Sequence, residues 1–555
     1  MDLNRAFLAI ILSLCILIGF QYLFPPAPPQ QVPAVPQGQQ AAPPPATQPG
    51  QAQVQQVQQP PATTPVTAMQ PSVPVDPKAR DITINTPLYT VVINEQGGGF
   101  RSFVLKNYRN TIEKNSGPME LLADRGPGSL PVLFSLDNGV GANLPLFKAD
   151  KASITITRED EATQLTMTAA PAEGLTVVRT LTFKGDSYLI NAEYKVQNTT
   201  DTALQVSPAL TLTNEPFAHA SDFSDYLFHG PAVFVNGALV ETKMKKLTEG
   251  PVTLQGKVSW AGFFDSYFMT AVIPTSGNAV IVTQKGSEKQ ARTVVSEGIL
   301  GIGVQETKTY AYTLYFGPKK LKILEAAGFD LAKSVDFGWF DFIGKPMLWL
   351  LNFFHQFSGN YGIAIIVLTI LIKVIFWPIT QKGMKSMKNM QKLQPKIAKI
   401  RERYKSDPAA MNKEVMTLYK TYKVNPFGGC LPMLIQIPFF FALYQVLMAA
   451  IELRHAPFML WINDLSAPDR LWIGFDVPYL HGIPVMTLLM GASMYLQQKM
   501  TPTTADPTQA RIMQFLPIVF TIMFINFASG LVLYWFVNNL LTILQQYLIN
   551  RQYKT

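Results

Sequence analysis

Six apolar runs constrain this chain more than any other feature. They span residues 6–24, 361–380, 427–451, 483–498, 512–527 and 530–549, and the only Lys, Arg, Asp or Glu in any of them is Lys373. About 20 apolar residues suffice to cross the ~30 Å hydrocarbon layer as a helix. Inside lipid the backbone must satisfy its own hydrogen bonds, so the runs are helical. They predict a polytopic α-helical membrane protein with one N-terminal anchor (6–24), after a five-residue N-terminus (1–5), and a five-helix core bundle. A cleaved signal peptide competes for 6–24, but the run ends in Gln21-Tyr-Leu-Phe24 and prolines rather than in small residues. A lipoprotein signal ending at Cys15 is opposed by the bulk of Leu14 and by the apolar residues that continue beyond.

Between the anchor and the second run the chain changes character twice. Residues 25–77 hold 16 Pro and 13 Gln in 53 positions with Asp76 as the only charge, a composition that cannot bury a core and reads as a disordered linker. Residues 78–331 carry short alternating runs, among them Tyr89–Ile93, Ser153–Thr157, Thr176–Phe183, Tyr188–Tyr194, Ala279–Thr283 and Thr309–Tyr315, separated by turn residues such as Gly97-Gly98-Gly99. That is the pattern of an antiparallel β-sandwich, and its length predicts two large sheets face to face. Residues 336–357 are dense in aromatics (Trp339, Phe340, Phe342, Trp349, Phe353, Phe354) and read as an amphipathic helix on a membrane surface.

Charge sets the orientation. Lys382–Lys423 holds twelve Lys/Arg against three acids, and the rest of the chain carries 34 of each sign. The whole excess of +9 therefore sits in one block, 382–424. Met387, Met390, Leu393, Ile397, Ile400 and Tyr404, then Met411, Val415, Leu418 and Tyr422 after Ser406-Asp-Pro408, are spaced like heptad seams. They predict a basic helical hairpin, kinked at Pro395. Lys499 and Arg511 in the 499–511 loop and Arg551 and Lys554 in the 550–555 tail fall on the same side, whereas the 452–481 loop is net −2. The positive-inside rule then places both termini, the hairpin and the 499–511 loop in the cytoplasm, and the β-domain and the 452–481 loop outside.

Catalytic chemistry has no sequence support: there is no G-x-x-x-x-G-K-[ST], H-E-x-x-H or C-x-x-C, and the five histidines are scattered. No cofactor or metal is expected, and neither is enzymatic activity. Lys373 is the sharpest feature, because a charge inside a span is costly unless water or a partner receives it. Snorkelling toward the nearby Trp377-Pro378 boundary is the competing account. Thr369 lies one turn earlier on the same face. Gln436, Gln445, Ser493, Gln497, Gln498 and Asn539 add polar groups to the spans, and Trp535, Asn538, Thr542 and Gln545 share one helical stripe. Interhelical hydrogen bonding accounts for one or two of these; a wet interior accounts for the set.

Asn425-Pro-Phe-Gly-Gly-Cys-Leu-Pro-Met-Leu-Ile-Gln-Ile-Pro438 with Ala442-Leu-Tyr444 resembles the third span of YidC-type insertases (the YidC/Oxa/Alb family). So do Glu452–Phe458, Trp461–Leu465, Thr501–Thr504 and Gly530–Tyr534. The anchor, linker and β-domain match the Gram-negative form, whose periplasmic domain resembles a galactose mutarotase-like super-sandwich. The resemblance implies an inner-membrane insertase and chaperone with a hydrophilic, cytoplasm-facing groove. Lys373 falls where many relatives carry Arg, and Thr369 and Trp535 fall at groove positions, Trp535 where Tyr is common. Gln436 and Asn538 are expected beside them. The implied partners are nascent membrane proteins, the Sec translocon, anionic lipids, and the ribosome and signal-recognition-particle receptor through the hairpin, with the monomer as the working unit. A transporter would need internal repeats, which are not seen. A carbohydrate-modifying enzyme would need paired carboxylates in a sheet cleft.

Overall fold

The structure, a computed structural model, describes residues 79–552 except 114, 124–129, 141–143, 218–227, 278, 406, 423, 425–430 and 501–506. The expected anchor and linker and the motif residues 425–430 and 501–504 lie outside the described residues.

The β-rich half runs from Asp81 to Pro318 and, among the described residues, contains a ten-stranded and a nine-stranded sheet and a small two-stranded one that pairs Leu204–Val206 with Leu300–Ile302. Alternation sets the buried face. In Leu175–Lys184, residues 175, 177, 179, 181 and 183 are buried and those between them half-buried, apart from the exposed Lys184. The sheets pack through aromatic rings: Phe134 stacks on Tyr194 at 3.9 Å, and Phe100 and Phe103 meet Phe316 edge-on at 5.7 and 5.2 Å. Among the described residues the largest fully buried side chains are Trp260 and a set of Tyr and Phe, all in this half. Each contributes on the order of 1.5–3 kcal/mol by burial. The hairpin joining 162–172 to 175–184 turns at Gly174, whose φ is +70° and where a Cβ would lie 2.1 Å from Thr200 Cγ2, so only glycine fits. The pairing is not wholly antiparallel as expected: Asp81–Asn85 runs parallel to Ser153–Thr155 at the sheet edge. The Ser153 strand arrives there through a long connection rather than a hairpin, which frees its direction.

The helical half contains α1 (Asp341–Ser358), α2 (Tyr361–Arg403), α3 (Pro408–Thr421), α4 (Leu431–Ala449), α5 (Val485–Met500), α6 (Pro507–Phe524) and α7 (Ser529–Gln552). α1 has two faces. Gly344, Met347, Leu348 and Leu351 are buried, while Phe342, Trp349, Phe353 and Phe357 are exposed at spacings of seven, four and four. Asn360 caps α2, its side chain accepting from Gly362 N and Ile363 N. α2 is one helix of 43 residues with Pro378 and Pro395 inside it. The sequence reading ended a span at 380 and began a separate hairpin at 382; here span and first hairpin arm are continuous. Hydropathy falls at Lys382, but Lys, Met and Gln keep helix propensity high. Asp407 caps the second arm, with Pro408 at its first position. The seam is buried on the first arm at Met390, Leu393 and Ile397, but Tyr422 on the second is 46% exposed.

Among the described residues only α2 is long and apolar enough to cross a membrane, with a mean hydropathy of 2.5 in its best window; 435–449 and 514–524 are shorter apolar stretches. α7 falls short because Asn538, Asn539, Thr542, Gln545 and Gln546 interrupt it.

Candidate functional site

Lys373 is 6% exposed and points from α2 to α7. Its Nζ donates to Thr542 Oγ1 at 2.7 Å and to Asn538 Oδ1 at 3.4 Å. Gln436 Nε2 of α4 donates to the same Asn538 oxygen at 3.3 Å. Three helices thus converge on one amide, and among the described residues no carboxylate pairs with the lysine. The seam continues along α7. Thr380 and Gln545 exchange hydrogen bonds at 3.2 and 2.8 Å, and Gln545 Nε2 reaches Trp377 O. Asn539 Nδ2 donates to Ser493 Oγ at 3.0 Å, and Gln546 Nε2 donates to Met500 O at 2.6 Å. Lys388 meets Asn550 at the far end. Thr542 and Gln545 are 8% and 0% exposed, whereas Gln436 and Asn538 beside Lys373 are half-buried.

The remaining expected site residues sit differently. Thr369 is buried, but its hydroxyl donates to Ile365 O at 2.6 Å, within its own helix, and not to Lys373. Trp535 shares the helix face expected for it, yet its ring lies among Phe440, Phe524 and Phe520 at 4.8, 4.8 and 5.9 Å, an aromatic cluster of α4, α6 and α7. Asn538 accepts from Lys373, and Gln436 joins it only through Asn538. Sequence reasoning missed Thr380 and Gln546. Thr380 lies seven residues after Lys373, two turns along one face, and that spacing was the available signal.

At the other end of the bundle the 452–481 loop ties four helix ends together. Asp469, 2% exposed, accepts from the N–H groups of Met486 and Thr487 in the first turn of α5 and from Trp461 Nε1. Ser529 Oγ and Gly530 N, opening α7, bond Asp464 O and Leu465 O. Arg470 reaches Ile525 O and Asn526 Oδ1 just past α6. Asn360 Nδ2, at the start of α2, donates to Phe458 O at 2.7 Å. The loop also joins the β-rich half: Arg454 donates to Asn110 O at 3.0 Å and lies over the rings of Phe268 and Tyr267. Burial holds the Arg454 guanidinium below its ordinary value and pushes the Glu452 carboxyl up. The acids of this loop serve largely as internal struts.

A cavity of about 150 Å³ opens in the β-rich half, lined by Asn110, Glu120, Asn214, Glu215, Phe217 and Gln290 among others. It contains none of the expected site residues. Glu120 there accepts from Ser102 Oγ at 2.6 Å.

A β half built on two large sheets and carried on a helical bundle, with a polar seam crossing the bundle's apolar interior, defines a helical membrane protein with a large appended β-domain. Residues 353–555 match the family described as 60Kd inner membrane protein, and residues 81–350 the family described as YidC periplasmic domain. The membrane protein insertase YidC of Geobacter sulfurreducens is 43% identical over 560 residues, covering 100% of this chain and 99% of its own. That of Syntrophobacter fumaroxidans is 41% identical over 480 residues, covering 84% of this chain and 86% of its own. A crystal structure of an active YidC insertase with its first transmembrane domain resolved aligns with 86% of this chain and 93% of its own, at 18% identity and a TM-score of 0.36. The chain belongs to the YidC family of membrane protein insertases, with a periplasmic β-rich domain and a helical core.

Proposed function

We propose that this chain inserts and helps fold inner-membrane proteins by lending the seam around Lys373 to the polar part of a client. The observation that carries the reading is the bonding of Lys373: a buried cation held, among the described residues, by the neutral oxygens of Thr542 and Asn538. Such bonds exchange readily for a client's carboxylate or carbonyl, and a charge-assisted replacement is stronger. Thr369, Gln436, Asn538 and Trp535 belong to the same groove: Gln436 and Asn538 as donors and acceptors, Thr369 as a small buried neighbour, Trp535 as an aromatic wall. Pulling a polar segment across ~30 Å of hydrocarbon strips its water at prohibitive cost. A polar seam open from one side shortens the dry path, and burial of the client's own apolar segment drives the step without nucleotide. The tied helix ends at the 452–481 loop support closure toward the periplasm.

In this reading residues 6–24 anchor the chain, 25–77 link it, and both termini and the 382–424 hairpin face the cytoplasm of a Gram-negative cell. α1 lies along the outer membrane–water boundary. The basic hairpin recruits ribosomes, the signal-recognition-particle receptor and anionic lipid, and the protein works alone, as a monomer, or with the Sec translocon.

The test is insertion into liposomes of two small clients, one with an acidic translocated tail and one with a neutral tail. Lys373→Ala should lower insertion of the acidic client roughly ten- to hundredfold, the kinetic equivalent of a lost charged hydrogen bond, and spare the neutral one. Lys373→Arg should retain activity. Equal insertion of both clients by the alanine variant would return Lys373 to a snorkelling role.

A further inference from the structure

The 452–481 loop and its junction with α5 carry an outward excursion between Leu471 and Ile483, whose side chains look unsuited to water. Trp472, Phe475 and Tyr479 are 61%, 62% and 97% exposed, with Ile473 beside them at 38%. The excursion is not slack. Its neck is closed by reciprocal bonds between the backbones of Leu471 and Ile483 at 2.8 and 2.9 Å. Immediately below the neck, Arg470 and Asp469 are fastened to the ends of α6 and α5. At the tip the N–H groups of Leu480 and His481 both bond Val477 O, and Tyr479 and His481 adopt φ of +66° and +55°. A side chain as bulky as that of Tyr479 enters this region only when the surrounding structure holds it there. A braced frame therefore presents the aromatics.

We propose that this excursion is a lipid anchor whose tip sits in the headgroup layer of the periplasmic leaflet, with the bilayer as its partner. The inference rests on the orientation proposed above. Three observations commit it to lipid rather than to protein. The tip springs from the N-terminus of α5 beside the C-terminus of α6, where the helices leave the hydrocarbon, and Trp and Tyr favour that level. Between Leu471 and Ile483 there is no Lys or Arg, and the one acid, Asp476, pairs with His481 at 3.0 Å, so no charged rim exists to complement a protein surface. The same loop is bonded through Phe458 to the start of α2, directly after α1, and Leu460 beside it is 81% exposed. The exposed aromatics of α1 and of the tip thus attach to one loop.

The test uses the full chain with Cys15 and Cys430 replaced by alanine and a single environment-sensitive fluorophore on Phe475→Cys, reconstituted without partners in phosphatidylethanolamine/phosphatidylglycerol liposomes. Headgroup nitroxide lipid should quench the label several-fold more strongly than aqueous iodide. Adding Trp472→Ser and Tyr479→Ser should reverse that preference. Iodide quenching as complete as that of a label on Asn412→Cys, with no lipid quenching, overturns the anchor, and so does an unchanged preference in the serine variant. A membrane-impermeant reductant separates the two levels of the argument. The labels at 475 and 412 should be reduced from opposite faces; reduction from the same face sinks the orientation, whereas opposite faces with a water-exposed tip sink only the anchor.

Discussion

Arg179 and Lys373 are both buried cations without a carboxylate partner among the described residues, and they are buried in opposite ways. Arg179, 2% exposed, lies between the two sheets with its guanidinium carbon 5.5 Å from the Phe100 ring and 5.6 Å from that of Tyr194. Its Nε and Nη2 have no hydrogen-bond partner among the described residues, and burial holds it below its ordinary value. Lys373 instead donates to two neutral side chains of a single neighbouring helix. A cation wedged between rings in a close-packed core has nowhere to go and nothing to exchange. A cation on a hydroxyl and an amide keeps partners that a client can displace. On the function proposed above, the environment of a buried charge, more than the fact of its burial, is what separates a structural group from a working one.

The comparison breaks most directly at the partners of Lys373. Replacing Thr542 by Val and Asn538 by Leu together leaves a buried ammonium with no acceptor. The expected cost is about 3–5 kcal/mol, as for a stranded buried charge, read as a lowered midpoint of thermal unfolding in detergent. Adding Lys373→Met to the pair should restore most of that stability and none of the insertion of an acidic client. If insertion returns with stability, the seam is packing and the lysine is incidental.

A third cation, half-buried, sharpens the contrast. Lys319, at the end of the β-rich half, donates to Asp265 O at 2.8 Å and lies 4.3 Å from the Phe264 ring centroid. Burial pulls its ammonium from 10.5 down to about 8, against the opposing charges of Asp265, Glu241 and Asp336. Below pH 8 both folded and unfolded chains keep the proton, and the fold bears the full penalty of the partly desolvated charge. Between about 8 and 10.5 the folded chain releases it first, so stability rises with pH across that window, by about 3 kcal/mol at most. Hydrogen exchange of strand 307–318 in the intact protein should slow accordingly, and Lys319→Met should flatten that part of the profile. A profile unchanged by the substitution would mean that Lys319 is solvated.

Much of this is legible in the sequence. The lone charge of Lys373 stood out because lipid penalises it, and Asn538, Thr542 and Gln545 announced themselves by helical spacing. What periodicity cannot give is which helix faces which: the convergence of Gln436 and Lys373 on Asn538 is a tertiary fact. Thr369 shows the limit of face arguments, since a threonine in a helix bonds its own preceding turn when nothing better is offered. The net charge of the 452–481 loop speaks only to the side of the membrane it faces; that Asp464 and Asp469 are spent on backbone N–H groups is again a tertiary fact. The length of α2 was hidden because hydropathy, not helix propensity, changes at Lys382. Arg179 was overlooked despite a signal: in Leu175–Lys184 it occupies the apolar phase of an alternating strand, where a cation is out of pattern.

That misplaced arginine yields the smallest expected effect and the cleanest control. Replacing a buried ion with an apolar side chain of similar length is often neutral or stabilising, because the desolvation penalty disappears with the charge. Arg179→Met surrenders two cation–π contacts, together worth about 1–2 kcal/mol, and relieves two nitrogens that lack acceptors. These terms nearly cancel, so the unfolding midpoint of the β-rich domain should shift little in either direction. Met also fills the slot between Phe100 and Tyr194 without a cavity. Insertion of acidic and neutral clients should be unchanged, in contrast to Lys373→Ala. Arg179→Ala should do worse than Met, because the emptied volume adds a cavity cost of about 2–5 kcal/mol. A methionine variant that folds normally but loses insertion would mean that Arg179 acts beyond its own core, and the division between a fixed cation in the β-domain and a working one in the bundle would fall.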